Sequence, residues 1–414
     1  MEVLHIGSIK RGTRAFRFTT LALFAGAFST YANLYMTQPV LPVISGTFHV
    51  SPATASLTLS LTTLALAVCM LVVGSLSEAW GRKNIMTFSM VAVAILSIAI
   101  AFAPSFESLL TLRIIQGVVF AGLPAIAMAY LGEEIEPSSL GIAMGLYISG
   151  NSIGGLAGRV IMGSVSDVFN WHIAMLTIGV LSLIVAVAFY FLLPASKNFK
   201  AEKLAFKPLV NSLFSHLKDP FLLLLFGIGF TLMGSFVTLY NYVSFLLIEP
   251  PFNLSQTVVG SIFIIYLVGT VSSTWMGKLA DQFGKFPILF GGILLMTFGA
   301  TITLTNNLAI ILFGIALFTF GFFGSHSIAS SWVSTRATHD KAQASSLYLF
   351  FYYTGSSIGG TLGGVFWMQS GWHGVITLIL GSLIFGAVLT WILHMKESKQ
   401  IKALCQITLV RVFN

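Results

Sequence analysis

The chain has 414 residues, of which 56% are hydrophobic and 8% are charged, and its formal net charge is +8. Soluble domains carry roughly 25% charged residues, so this composition excludes a soluble enzyme, a nucleic-acid binder and a disordered chain. A membrane span needs roughly 20 apolar residues, so the chain has room for about ten to twelve spans. The positive charge fits the cytoplasmic loops of a membrane protein, where Lys and Arg accumulate.

Twelve apolar segments of helical length follow one another along the chain. Basic residues precede the first segment, as in a signal peptide, but its apolar run from residue 18 to residue 50 is too long for one. We therefore interpret this run as the first transmembrane helix. The predicted spans cover residues 18–45, 55–77, 84–103, 108–131, 139–165, 171–193, 220–247, 256–280, 286–305, 308–333, 343–367 and 374–394.

One long polar connection, over residues 194–219, divides six spans from six. We predict an N-terminal six-helix half over 1–193, a basic linker over 194–219, a C-terminal six-helix half over 220–394 and a tail over 395–414. If both termini are cytoplasmic, every Lys and Arg except Arg113 and Arg159 lies in a cytoplasmic segment, as the positive-inside rule requires. The linker contains Lys197, Lys200, Lys203, Lys207 and Lys218.

Two motifs of the first half recur in the second half at nearly the same offset. Residues 74–83 read GSLSEAWGRK after the second span, and residues 277–285 read GKLADQFGK after the eighth. In the fifth span residues 150–155 read GNSIGG, and in the eleventh residues 355–360 read GSSIGG. A shared offset indicates duplication of a six-helix unit, which is typical of secondary transporters.

The loop motif resembles that of the major facilitator superfamily. Its glycines predict a tight turn, and its Arg and Lys can meet acids at the end of the fourth span. The resemblance implies a cluster that holds the cytoplasmic side closed in one conformation, although solvated loop charges remain the alternative. The predicted gating residues are Gly74, Glu78, Gly81, Arg82, Lys83, Glu133, Glu134, Gly277, Asp281 and Gly284.

Two further motifs extend the resemblance over nearly the whole chain. Leu109, Arg113, Gln116 and Gly117 resemble the motif that the superfamily links to proton coupling; the alternative is an arginine bound to backbone carbonyls. The glycine motif resembles the superfamily's antiporter motif, but Asn151 replaces the usual proline, and glycines also permit close helix packing alone. Its members are Gly150, Asn151, Gly154, Gly155, Gly355, Gly359 and Gly360.

The resemblance implies an all-α fold of twelve transmembrane helices in two pseudo-symmetric six-helix bundles, with helices 1, 4, 7 and 10 lining the substrate cavity. Polar and aromatic residues of helices 1 and 7 supply hydrogen bonds and apolar faces there. The predicted substrate-binding residues are Tyr31, Asn33, Tyr35, Gln38, Tyr240, Asn241 and Tyr242.

No Asp or Glu lies well inside a predicted span, so His326 becomes the predicted titrating group, paired with Arg113. A neutral packing histidine, or the acids Glu133 and Glu134 at the cytoplasmic mouth, are the alternatives. Arg159 could line the outer end of the cavity, or pair with Asp167 or lipid headgroups.

The sequence predicts a secondary active transporter of the bacterial inner (plasma) membrane, similar to drug- and sugar-efflux permeases, and not an enzyme. Our first hypothesis is a proton-coupled exporter of small organic compounds. An importer or uniporter on the same fold, and a non-transporting receptor, are the alternatives. No phosphate-binding loop is present. We expect no cofactor, metal or nucleic acid, and a monomer whose partners are the bilayer, protons and a small-molecule substrate.

Overall fold

The computed structural model describes residues 8–199 and 206–412. Within these ranges the chain is almost entirely helical, with one isolated β-bridge between Ile9 and Ile135. Ten of the described helices have the length and apolar character that crossing a bilayer requires. The all-α polytopic fold is therefore confirmed. The last of these helices contains two helical segments, which gives eleven, and the 22-residue helix Arg14–Tyr35, which is not among the ten, makes the count consistent with twelve spans. The lysines at 200 and 203 and the first seven residues lie outside the described residues.

The first part of the chain, up to residue 199, forms eight α-helices and one 3₁₀ turn. Several of them begin next to a Ser, Thr or Asn, whose side chain accepts a hydrogen bond from a free N–H group of the first turn. Others begin with a Pro, which has no N–H group to satisfy. They are α1 (Arg14–Tyr35), a 3₁₀ turn (Gln38–Val40), α2 (Leu41–Phe48), α3 (Pro52–Trp80), α4 (Arg82–Ile100), α5 (Phe106–Phe120), α6 (Pro124–Glu134), α7 (Pro137–Val168) and α8 (Trp171–Leu192).

Residues 206–412 contain seven α-helices and a second 3₁₀ turn. They are α9 (Phe206–Leu217), α10 (Pro220–Ile248), α11 (Gln256–Ile262), a 3₁₀ turn (Phe263–Tyr266), α12 (Leu267–Phe283), α13 (Lys285–Ile302), α14 (Leu308–Arg336) and α15 (Lys341–Val412). The backbone of α15 leaves helical geometry at Ser370 and Gly371, so it comprises two helical segments.

Several predicted elements differ from the observed ones for local reasons. The first span breaks after Tyr35, ahead of Pro39, and the fourth breaks between α5 and α6 at Pro124, because proline removes a helical hydrogen bond. The predicted polar linker contains the amphipathic helix α9. The motif segment from Gly74 to Trp80 is the last part of α3 and not a loop, so only its final glycine forms the turn.

The chain divides into two compact units, each built from more than one stretch of sequence. Unit 1 holds residues 1–206, 240–266 and 360–372, and unit 2 holds residues 207–239, 267–359 and 373–414. Helices α10 and α15 therefore each contribute to both units. The division of the chain into two sequential six-helix halves stays a prediction.

In unit 1, α1 packs closely against α7 through glycines on one face of α7. A Cβ atom at Gly154 would lie 2.2 Å from the carbonyl oxygen of Phe28, and one at Gly158 would lie 2.4 Å from that of Ala32. Neither position can hold a larger residue without moving the helices apart. In lipid the hydrophobic effect does not drive helices together. Small residues let the two backbones approach closely, and the resulting van der Waals contacts hold the helices together.

Unit 2 repeats this contact between α10 and α15. A Cβ atom at Gly355 would lie 2.1 Å from the carbonyl oxygen of Phe230, and one at Gly359 would lie 2.6 Å from that of Gly234. The duplicated glycine motif thus occupies the equivalent helix contact in each unit.

Candidate functional site

The turn between α3 and α4 depends on one glycine. Gly81 has φ +93°, a conformation that side chains rarely adopt, and it joins Trp80 at the end of α3 to Arg82 at the start of α4. Gly284, with φ +92°, joins α12 to α13 in the same way. This turn delivers Arg82 to the first residue of α4, beside the last turn of α6.

Arg82 binds Glu133 in a two-pronged ion pair. Its Nη2 lies 2.6 Å from Oε1 of Glu133, and its Nε donates to Oε2 at 3.3 Å. Its Nη1 donates to the Ser77 hydroxyl at 2.5 Å and to the Gly74 carbonyl at 3.4 Å, while Glu78 lies farther away, at 3.9 Å. We call these five residues the Arg82 cluster.

The neighbouring predicted gating residues bind elsewhere. The carboxylate of Glu134 accepts from the backbone N–H groups of Lys197 and Asn198, at 2.7 and 2.9 Å. The Lys83 ammonium donates to the carbonyl of Leu193 at 2.6 Å, where α8 ends. Both residues therefore fasten the start of the linker to unit 1, and neither contributes an ion pair to the Arg82 cluster.

The repeated loop motif in unit 2 has different contacts. Lys285 donates to the Thr335 hydroxyl at 2.7 Å and lies 5.7 Å from the ring centroid of Trp332. Asp281 is exposed, and Gly277 lies inside α12. Lys285 therefore binds a neutral hydroxyl group, whereas Arg82, at the equivalent position of unit 1, binds a carboxylate.

Arg113 is completely buried, and backbone carbonyls surround it. Its guanidinium donates to the carbonyls of Asn33, Leu34 and Thr58 at 3.2, 2.8 and 2.9 Å, and to the side-chain oxygen of Gln116 at 2.6 Å. The carbonyls of Asn33 and Leu34 lie in the last turn of α1, where no following helical N–H group is available, because α1 ends at Tyr35. Arg113 thus caps the broken first span, the contact that the structural alternative predicted.

Three of the predicted substrate-binding residues make other contacts within unit 1, of which two join different helices and one lies within α1. Both N–H groups of Asn33 are used, one by the Ser29 carbonyl and one by the Ser182 hydroxyl. The Tyr242 hydroxyl donates to the carbonyl of Gly360 at 2.6 Å, and the Tyr31 ring lies 6.3 Å from that of Tyr35. Their substrate-binding role stays a prediction.

The other four predicted substrate-binding residues lie around Arg159, and Tyr240 does so through the rings of Phe263 and Tyr266, 5.2 and 4.6 Å away between centroids. The guanidinium carbon of Arg159 lies 4.4 Å from the Tyr35 ring centroid, 4.8 Å from that of Phe263 and 4.6 Å from that of Tyr266. Its Nε donates to Oε1 of Gln38 at 2.8 Å, and Nε2 of Gln38 donates to Oδ1 of Asn241 at 2.8 Å. The Arg159 cage is Tyr35, Gln38, Arg159, Tyr240, Asn241, Phe263 and Tyr266.

Of the alternatives that the sequence left open for Arg159, the structure contradicts the pairing with Asp167. Asp167 accepts a hydrogen bond from the Thr257 hydroxyl at 2.7 Å and forms no ion pair with Arg159. The sequence signal was a charge inside an apolar span. This signal identified Arg159 itself. It could not identify the aromatic partners, because they lie more than 100 positions away in the sequence.

His326 lies in unit 2 among aromatic rings. Its Nδ1 lies 2.9 Å from the Tyr348 hydroxyl, and its ring stacks with Phe322 and contacts Tyr352, with centroids 5.9 and 4.6 Å apart. No acid forms an ion pair with it among residues 8–199 and 206–412. Arg113 and His326 belong to different units, and their coupling stays a prediction.

Comparison with known proteins identifies the family. The model of the Major Facilitator Superfamily matches residues 23–338 and 240–404. The chain is 55% identical over 376 residues to the MFS-type transporter YybF of Bacillus subtilis (strain 168), covering 91% of this chain and 93% of that protein. It is 45% identical over 386 residues to the inner membrane transport protein YnfM of Escherichia coli (strain K12), covering 93% of each.

Solved structures agree at the level of the fold. The nucleoside transporter NupG superposes with a TM-score of 0.71 at 15% identity, covering 91% of this chain and 98% of that chain. A bacterial homologue of the lysosomal transporter Spinster gives 0.70 at 16% identity, covering 92% and 96%. The chain belongs to the Major Facilitator Superfamily and is a multi-pass secondary transporter of that kind, not an enzyme.

Proposed function

We propose that this transporter exports small organic compounds in exchange for protons, by alternating access, across the bacterial inner membrane. The single observation that carries the mechanism is the Arg82–Glu133 ion pair, because a contact between two charged side chains can break and reform. Glu133 is partly exposed, at 30% of its side-chain surface, so water can solvate both charges when they separate.

The repeated glycine contacts support the proposed movement. The contact of α1 with α7 and that of α10 with α15 are both too close to slide freely, so each helix pair moves as one body. Rocking of two such bodies is the movement by which repeat-built transporters expose a site to alternate sides. The glycine motif of α7 also supports export, through its resemblance to the antiporter motif.

The charges and the relatives support the proposed membrane and the proposed orientation. Lys and Arg outside the spans gather on one side, which we assign to the cytoplasm with both termini and the linker. The relative YnfM is named an inner membrane transport protein, which supports the same membrane here. We propose that the transporter works as a monomer.

Proton coupling is assigned to His326, with Arg113 as the charge that responds to the helix movement. Histidine is the side chain whose ordinary pKa lies nearest to physiological pH. His326→Gln keeps a polar group in place of the ring but cannot take up a proton. Glu133 is the alternative proton carrier, because protonation would release Arg82.

The experiment is substrate-driven proton flux in proteoliposomes that contain a pH-sensitive dye, tested against drugs, sugars and organic anions. We expect at least one compound to move protons in the wild type and not in His326→Gln. Normal flux with an unchanged pH profile in His326→Gln would transfer the role to Glu133. Transport that ignores an imposed pH gradient would instead establish a uniporter, the alternative that Asn151 in place of the motif proline favours.

A further inference from the structure

Arg159 is a buried charge without a charged partner. The residue is 1% exposed, and no carboxylate pairs with it within residues 8–199 and 206–412. An uncompensated charge inside a membrane protein is costly, and the cation–π contacts and the hydrogen bonds to Gln38, Gly155 and the Tyr266 hydroxyl offset only part of that cost. The cage therefore keeps a positive potential that favours a negative group nearby.

The charge of Arg159 also fixes the direction of the hydrogen bonds that start from it. Arginine has donors and no acceptor, so Gln38 must turn its oxygen toward Arg159 and its NH₂ group toward Asn241. Asn241 must then accept through Oδ1, which leaves its own NH₂ group at the far end. This Nδ2 atom is buried and has no hydrogen-bond partner.

Two hydroxyl groups next to this chain of bonds are also unpaired. The Oγ atom of Ser244 is buried without a partner, and Ser244 lies three residues after Asn241, on the same face of α10. The Oγ1 atom of Thr37, which precedes Gln38, is likewise buried and unpaired. An unsatisfied buried polar group destabilises the protein, so these donors favour a ligand that accepts hydrogen bonds.

We infer that the transported compounds are organic anions whose carboxylate, or an equivalent anionic group, binds the free N–H of Asn241 under the positive potential of Arg159. Ser244 and Thr37 donate the remaining hydrogen bonds to the same group. A cationic compound would be repelled by Arg159, and a neutral one would not compensate its charge. This inference rests on the proposed function, because it names the class of compound that the exporter moves.

The experiment measures binding without transport, so that it stands even if the proposed proton coupling fails. The purified full chain is unfolded thermally with three pairs of probes of matched shape: acetate and acetamide, benzoate and benzamide, nicotinate and nicotinamide, all at equal ionic strength. A bound ligand raises the melting temperature according to its concentration and Kd. Because a hydrogen bond to a charged group is stronger than one to a neutral group, we expect at least one anion to bind about tenfold tighter than its amide.

Two isosteric variants supply the negative charge from the protein itself. Asn241→Asp replaces the free donor with an acceptor, and Gln38→Glu places a carboxylate directly against Nε of Arg159. Either change should bring the ratio of anion to amide affinity down to about one. The two variants are independent, so a folding defect in one leaves the other as the test. Asn307→Asp, which makes the same exchange at the first residue before α14, should keep the wild-type ratio.

The outcomes separate clearly. Preferential binding of an anion that is lost in Asn241→Asp or Gln38→Glu and kept in Asn307→Asp supports the inference. The inference is overturned if no probe anion stabilises the wild type, if anion and amide bind equally, or if both isosteric variants keep the preference.

Discussion

Two buried arginines of unit 1, Arg82 and Arg159, are held in opposite ways. Arg82 binds the carboxylate of Glu133, which is partly exposed, whereas Arg159 is fully buried among aromatic rings, amides and the Tyr266 hydroxyl. Water can replace Glu133 at the first site. At the second, nothing in the cage can neutralise the charge.

This difference indicates different uses of the same side chain. A paired charge near water can open and close at low cost, which suits a contact that changes during the transport cycle. An unpaired buried charge is expensive to keep, so we expect it to act on something that brings the opposite charge. The predictions below test whether the two arginines, and the third at Arg113, differ in these ways.

The largest effect on stability is expected at Arg113, whose contacts are with the backbone. Arg113→Met would leave the carbonyls of Asn33, Leu34 and Thr58 without this donor. With about 1–3 kcal/mol for each unsatisfied group, we expect a loss of at least about 3 kcal/mol. Thermal unfolding and the yield of membrane-inserted protein measure it. Ile115→Met, on the exposed face of α5, is the control, and equal stability of both variants would refute the capping role.

Arg82→Ala should affect transport more than folding. We expect turnover to fall at least about tenfold, equivalent to about 1.4 kcal/mol, with normal insertion in the membrane. Lys285→Ala, at the equivalent position of unit 2, removes a hydrogen bond to a hydroxyl and no ion pair, so it should reduce turnover less. Equal turnover of the two variants would show that the carboxylate partner gives Arg82 no special role.

Arg159→Met should change stability little. It removes hydrogen bonds to Gln38, Gly155 and the Tyr266 hydroxyl, but it also removes an uncompensated charge together with the desolvation cost of that charge. We expect the free energy of unfolding to change by less than about 1 kcal/mol. Chemical denaturation in mild detergent measures this. A loss as large as that of Arg113→Met would show that the cage is mainly a structural brace.

The smallest expected effect lies in unit 2, where α9 meets the loop before α15. The Ser212 hydroxyl, 2.6 Å away, and His339 hold the pKa of the Asp340 carboxyl below its ordinary value of 3.8. This stabilisation is present above the unfolded pKa and is lost as the pH falls through the lower folded pKa. Melting curves of wild type and Asp340→Asn should therefore converge in acid. Asp281→Asn, at an exposed carboxylate, is the control, and a difference that persists unchanged in acid would contradict this assignment.

The sequence predicted the architecture better than the site. Hydropathy identified the spans because lipid demands long apolar helices, and the duplicated motifs indicated the repeat. The turn at Gly81 and the pairing of Arg82 with Glu133 could also be predicted from the sequence, because the loop motif and the acids lie at the ends of predicted spans. Helix α9 was missed because its apolar face is short and lies within a lysine-rich segment.

The Arg159 cage could not be predicted in the same way. Its members come from α1, the 3₁₀ turn at Gln38–Val40, α7, α10 and the 3₁₀ turn at Phe263–Tyr266, and their meeting depends on where α1 breaks. Pro39 indicated a break, but hydropathy extended the span through it. A buried arginine without a nearby acid was the one available signal.

The central claim is that transport depends on the contact between Arg82 and Glu133. A double-mutant cycle on turnover in proteoliposomes tests it most directly, using Arg82→Ala, Glu133→Ala, the double variant and the compound that the wild type moves fastest. If the two side chains act through their contact, the double variant should be about as active as Arg82→Ala alone, with a coupling energy of at least about 1 kcal/mol. Losses that simply multiply in the double variant would contradict the account.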